Sequence, residues 1–190
     1  MSVIRVPMLI AVFLMQAVAG NILLPLFDFT GTEAAQQWQA VNDGVMGGVS
    51  DGRFRITHKN TLEFYGTLSL ENNGGFTSVR TKPADLDIKA GDELVIRVKG
   101  DGREYVLNLY TKSRRMAFSY RATLPTVKNE WTEVAVPLEE FIPTSFGRRV
   151  QGMGPVEPSE ITSIGFMLSD KKAGPFEMQI EWVKVARPGE

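Results

Sequence analysis

The chain has 190 residues, with 21 Lys and Arg against 22 Asp and Glu, a single histidine and no cysteine. This length suits one domain with a sizeable core, and the balanced charge argues against a nucleic-acid binder, which carries a basic face. The lack of cysteine excludes disulfides and thiol or Cys-ligated metal chemistry, so stability has to come from packing.

The first stretch, "MSVIRVPMLIAVFLMQAVAG", has one cation, Arg5, then an apolar run over residues 6–15, then Ala17-Val18-Ala19. That is the layout of a secretory signal peptide over residues 1–19, and its apolar core is short for a membrane span. A retained anchor is the alternative, since Ile22, Leu23 and Leu24 extend the run. The expectation is an exported, periplasmic or secreted protein, with a single domain over residues 24–187.

Strand signals follow in order: "PLFDF", "RFRITHK", "TLEFYGTLSL", "DELVIRVKG", "EYVLNLY", "RMAFSYRA", "WTEVAVPL", "SIGFMLSD" and "FEMQIEWVKV". Each alternates apolar and polar residues with a period of two. In the last, Phe176, Met178, Ile180 and Trp182 share one face; this strand is expected at the centre of a sheet, with "PLFDF" tied beside it. Glycine- and Asn-rich punctuation separates the strands. Residues 139–158 read as a long surface loop with one helical turn. The fold class is all-β: an antiparallel β-sandwich of jelly-roll type with about ten strands. Trp182 and Trp131 are assigned to its core, Trp38 less firmly.

Gly48-Val49-Ser50-Asp51-Gly52 matches G-x-S-x-G. A nucleophile elbow needs a helix after the serine and a histidine as base. Here a strand pattern follows, and the only histidine, His58, lies eight residues on. Ser50 is read as a turn residue, with Asp51-Gly52 as a tight hairpin turn, and Asp101-Gly102 is read the same way. No catalytic residue is assigned and the chain is read as a non-enzyme. No cofactor is expected. Asp43, Asp51, Asp85, Asp87, Asp92 and Asp101 sit in turn-like surroundings, where they either make Asx-turns or contribute to a structural Ca²⁺ site.

Five stretches in order carry a resemblance: "VNDGVMGGVS" after Trp38, "ENNGGFTSVR", "VKGDGREYVLNLY", "VPLEEFIPTSFGRR" after Trp131, and "IGFMLSDKKAGPFEMQIEWV". Their order and spacing resemble the complex I intermediate-associated protein 30 family over residues 24–186. The resemblance implies a galactose-binding-like β-sandwich and a chaperone-like role, binding protein partners during assembly of respiratory NADH:quinone oxidoreductase. The alternative is an exported carbohydrate-binding module that shares only the fold.

Two glycine pairs, Gly47-Gly48 and Gly74-Gly75, stand beside Met46 and Phe76. One reading makes them sharp corners packed against each other at one end of the sandwich. The other makes them the rim of a ligand or partner site. In that reading Asn42, Asp43, Asn72, Asn73 and Arg80 supply hydrogen bonds, and Trp38 or Tyr110 offers a stacking face to a sugar. The partner is then a protein or a glycan. Arg148-Arg149 and Lys171-Lys172 add a peripheral contact to anionic headgroups only if their loops meet.

Overall fold

A computed structural model describes residues 21–113 and 117–189; the signal segment read over residues 1–19 lies outside them. Among the described residues thirteen strands form two antiparallel sheets, where about ten were expected. Sheet A contains β1 (Ile22–Phe27), β3 (Asp51–Ile56), β4 (Leu62–Leu68), β6 (Glu93–Lys99), β9 (Trp131–Pro137) and β13 (Gly174–Arg187). Sheet B contains β2 (Trp38–Asn42), β5 (Thr77–Thr81), β7 (Glu104–Thr111), β8 (Phe118–Pro125), β10 (Ile142–Ser145), β11 (Arg148–Arg149) and β12 (Ile161–Leu168). The order is β3-β4-β13-β6-β9 in sheet A, with β1 also on β13, and β11-β10-β8-β7-β12-β5-β2 in sheet B.

The expected alternation builds the layers. Tyr105, Leu107 and Leu109 of β7 and Ile164, Phe166 and Leu168 of β12 are all sealed against sheet A. From the other side come Leu62, Phe64 and Leu68 of β4, and Phe176, Met178 and Ile180 of β13. Aromatic rings interlock across the gap: Tyr105 of sheet B stands edge-on to Phe64 and Phe176 of sheet A, each pair with centroids 6.5 Å apart. β13 lies centrally between β4 and β6, and β1 pairs with its far half, as the terminal-strand argument required.

Several expectations are corrected. Trp182 does not continue the buried face of β13. The register with β6 shifts between Ile180 and Trp182, and this β-bulge inserts one residue that reverses the alternation. Val183 and Val185 turn inward, while Trp182 stands half-buried on the outer face with the Lys184 ammonium 4.1 Å from its ring centroid. Trp131 is likewise half-buried outside, beneath Arg97 and Lys99. Trp38, the least expected of the three, is the core residue, enclosed by Phe27, Phe29 and Phe166 at 5.2–6.0 Å.

Residues 139–158 contain the β10–β11 hairpin, with Phe146 and Gly147 at its tip in left-handed conformation. Asp51-Gly52 is not a turn; both residues lie inside β3, paired with Thr67 and Gly66. Gly102 does make a left-handed corner, but β6 and β7 belong to different sheets, so it is a sheet-crossing corner and not a hairpin.

Candidate functional site

Two crossings between the sheets meet at one corner of the sandwich: residues 43–50 join β2 to β3, and residues 69–76 join β4 to β5. One carboxylate holds both. Asp43 is 1% exposed. Its Oδ1 accepts the Ser50 amide at 2.9 Å. Its Oδ2 accepts the Ser50 hydroxyl at 2.6 Å and the amides of Gly75 and Phe76 at 2.7 and 3.3 Å. The Ser50 oxygen in turn accepts the Ser69 amide at 3.0 Å. Burial raises the Asp43 carboxyl, and the Ser50 hydroxyl with the three amides outweighs it, so the group lies below its ordinary value.

This network explains the glycines. A side chain at Gly48 or Gly74 would overlap the Asp43 carboxylate, so these positions need glycine for close approach. Asn42 ties the same corner from β2: its amide donates to the Gly52 carbonyl at 3.1 Å and its oxygen accepts the Thr77 hydroxyl at 2.5 Å. The corner reading of the glycine pairs is therefore the geometry found. Asn72 and Asn73 form an exposed left-handed turn beside it. Around the clamp, Val45, Met46, Val49 and Leu70 stand 44–76% exposed. Of these only Met46 was singled out in the sequence.

Ser50 is thus a structural donor. A strand follows it, not a helix, and β3 runs its whole length before the exposed turn that holds His58, which puts the imidazole about 20 Å away by strand rise. The other carboxylates are similarly engaged. Asp85 and Asp101 make Asx-turns to the amides of Asp87 and Arg103. Asp92 takes a two-pronged bond from Arg187, both contacts at 2.9 Å. Asp51 pairs with Arg53. Among the described residues no group of three His, Cys, Asp or Glu side chains is placed to hold a metal ion.

A second clamp joins two more of the resemblance stretches. Arg103, after the Gly102 corner, forks onto Asp170 with bonds of 2.9 and 2.6 Å and also donates to the carbonyls of Lys172 and Pro175. Burial raises the Asp170 carboxyl, but the Arg103 hydrogen bonds outweigh it and hold the group below the usual carboxylate range.

The remaining nominated residues, Arg80 and Tyr110, are not at the corner. They lie on the outer face of sheet B, where Arg80 opposes Gly165, Gly165 opposes Asn108, and Asn108 opposes Arg121 across four strands. The Arg80 guanidinium lies over the Tyr110 ring, 5.2 Å from its centroid. A Cβ at Gly165 would come within 2.8 Å of Arg80 Cβ and 3.0 Å of the Tyr110 ring, so the glycine makes room for this stack. Arg121 Nε donates to Ser119 Oγ at 3.1 Å, and Ser119 donates to the buried Asn108 at 3.0 Å. Arg121 was missed; its only sequence signal is a cation inside the buried pattern "FSYRATL".

A separate cleft, lined by Leu24, Leu26, Phe27, Thr81, Leu86 and Val185 among others, opens beside β1 and holds none of the nominated residues. No helix among the described residues is long and apolar enough to cross a membrane.

Comparison with known proteins places this geometry. Among solved structures, the family 11 carbohydrate-binding module of the cellulosomal cellulase Lic26A-Cel5E of Clostridium thermocellum superimposes with a TM-score of 0.65 at 16% identity, covering 90% of this chain and 96% of the module. That likeness is one of fold. Among curated proteins, "Complex I intermediate-associated protein 30, mitochondrial" of Mus musculus is 27% identical over 84% of this chain and 55% of its own length. The protein of the same name from Drosophila melanogaster is 26% identical over 83% of this chain and 61% of its own length. The chain spans about half the length of these relatives. Their names overturn the exported location inferred from the N-terminal segment: the relatives are mitochondrial proteins, not periplasmic or secreted ones. The family model described as "Complex I intermediate-associated protein 30 (CIA30)" matches residues 27–180, and the chain belongs to that family.

Proposed function

We propose that this chain is a non-catalytic protein-binding module serving assembly of respiratory NADH:quinone oxidoreductase. The observation that carries the reading is the clamped corner. Val45, Met46 and Val49 are held out to solvent on a crossing whose backbone is fixed by Asp43 and Ser50, with Leu70 beside Gly75 across the clamp. Apolar side chains grouped on a fixed loop are the usual mark of a partner surface, whereas scattered single ones are not. In this reading Met46, Gly47, Gly48, Asn72, Asn73, Gly75 and Phe76 form the contact, and Asn42 and Asp43 frame it. The family name supports the same role.

Glycan binding is the second reading, favoured by the likeness to carbohydrate-binding modules. The aromatic residues weigh against it. Trp38, Tyr105 and Tyr120 are buried, and Tyr65, Tyr110, Trp131 and Trp182 each carry a cation over the ring. A sugar ring would have to compete with a cation at every Trp or Tyr ring that is not buried.

The test is complementation. Cells that make this protein are deprived of it, and membrane NADH:quinone oxidoreductase is resolved by native electrophoresis. Subassemblies should accumulate, and the wild-type chain should restore the whole enzyme. A Val45→Ser/Met46→Ser/Val49→Ser variant should melt within a few degrees of wild type yet fail to restore it. Normal enzyme in deprived cells, or full rescue by the triple variant, sinks the reading.

A further inference from the structure

The cations on the outer face of sheet A are all engaged. Arg53 meets Asp51, Arg55 meets Glu63, Arg97 meets Glu133 and Glu181, and Lys99 and Lys184 lie over tryptophan rings. The outer face of sheet B differs. Neither Arg80 nor Arg121 meets a carboxylate among the described residues, and the internal residues outside the description, Arg114, Arg115 and Met116, carry none. Arg80 Nε is fully buried without a hydrogen-bond partner. Arg121 spends its Nε on Ser119, and its two terminal nitrogens make no hydrogen bond among the described residues; Nη1 lies beside Gly147, whose Cβ would come within 3.6 Å of it.

Both arginines are tied to β7: Arg80 lies over the Tyr110 ring, and Arg121 opposes Asn108, two residues before Tyr110, and reaches it through Ser119. Burial raises Tyr110, and the positive charges of Arg80 and Arg121 oppose that rise. Burial also pulls the Arg121 guanidinium down, with only Tyr110 opposing. A guanidinium does not shed its proton in a protein, and a half-buried charge with no counter-ion is unfavourable. A fixed fork of N–H donors matches the planar geometry of an oxyanion. The neutral Ser119–Asn108 relay aims Arg121 without neutralising it, which leaves the charge for something outside the chain.

We propose that the outer face of sheet B is an oxyanion site, in which Arg80 and Arg121 take a carboxylate or phosphate group of a ligand over Tyr110. The site is independent of the apolar corner, and either can fail alone. Glutarate and methyl phosphate, titrated at low salt into the ¹⁵N-labelled protein, test it and separate the two sources of the anion. At least one should shift the Arg80 and Arg121 Nε–Hε signals together, with a single saturating affinity; the tighter of the two assigns the ligand as carboxylate-bearing or phosphoryl-bearing. Arg121→Gln and Arg80→Gln should each weaken binding about tenfold or more, and Arg121→Lys should recover part of it. Saturation without movement of these two signals, wild-type affinity in both Gln variants, or no binding of either anion overturns the proposal. The signal test uses the unmodified protein, so it stands even if a variant folds poorly.

Discussion

The two outer faces of this sandwich both carry arginines and solve opposite problems. On sheet A, cations alternate with acids or sit on aromatic rings, so the face is finished when it meets water. On sheet B, the strands carry buried Ser78, Asn108, Ser119 and Ser163 and two arginines with no acid opposite. Since surface ion pairs each contribute little, the contrast says less about stability than about vacancy. One face neutralises itself, and the other holds its charge ready.

The comparison can be broken in graded steps. The largest effect belongs to a buried, fully matched pair: Asp170→Ala strands Arg103, whose side chain is only 13% exposed, and should cost about 3–5 kcal/mol in chemical denaturation. Asp43→Asn follows, because an amide cannot accept four donors and places its own NH₂ against amide hydrogens; about 2 kcal/mol is expected. Its pH signature has a definite sign. The folded Asp43 carboxyl lies below its unfolded value of about 3.9, so its contribution is complete above that value and is lost as pH falls through the folded pKa. Acid unfolding curves of wild type and Asp43→Asn should therefore converge below about pH 4, and curves that stay parallel would contradict the clamp.

Smaller effects decide between the faces. Arg97→Met removes two half-exposed pairs and should cost at most about 1 kcal/mol. Arg121→Met removes a charge with no partner, so it should leave stability unchanged or raise it slightly. If Arg121→Met is the more damaging of the two in urea titrations, sheet B is as self-contained as sheet A.

Much of the architecture could be read directly because alternation is a local property. β7, β12 and most of β13 show their buried face residue by residue. What escaped is set by distant pairing. The bulge before Trp182 exists only because β6 fixes the register of β13, and no local signal marks it. β5 is sealed on both sides, with Thr77, Ser78 and Val79 all buried, so it has no polar face to alternate with. β11 has two residues, too few for any period. At the candidate site the sequence identified residue types but not their company. In the sequence Asp43 and Arg80 read as one set, and the fold divides them between a clamp and a sheet face. Arg121 draws meaning only from the partners opposite it, Asn108 on β7 and Ile142 on β10, neither of them an acid, which is a property of neighbours in space.

The Asp43 clamp has a consequence for how the sandwich opens. It fastens crossings that leave and enter both sheets, so the two layers are bound along one margin like the spine of a book. The amide protons of Ser50 and Gly75 should then be among the last to exchange with deuterium, released only when the whole molecule comes apart, while strands at the opposite margin, β9 and the β10–β11 hairpin, trade theirs page by page.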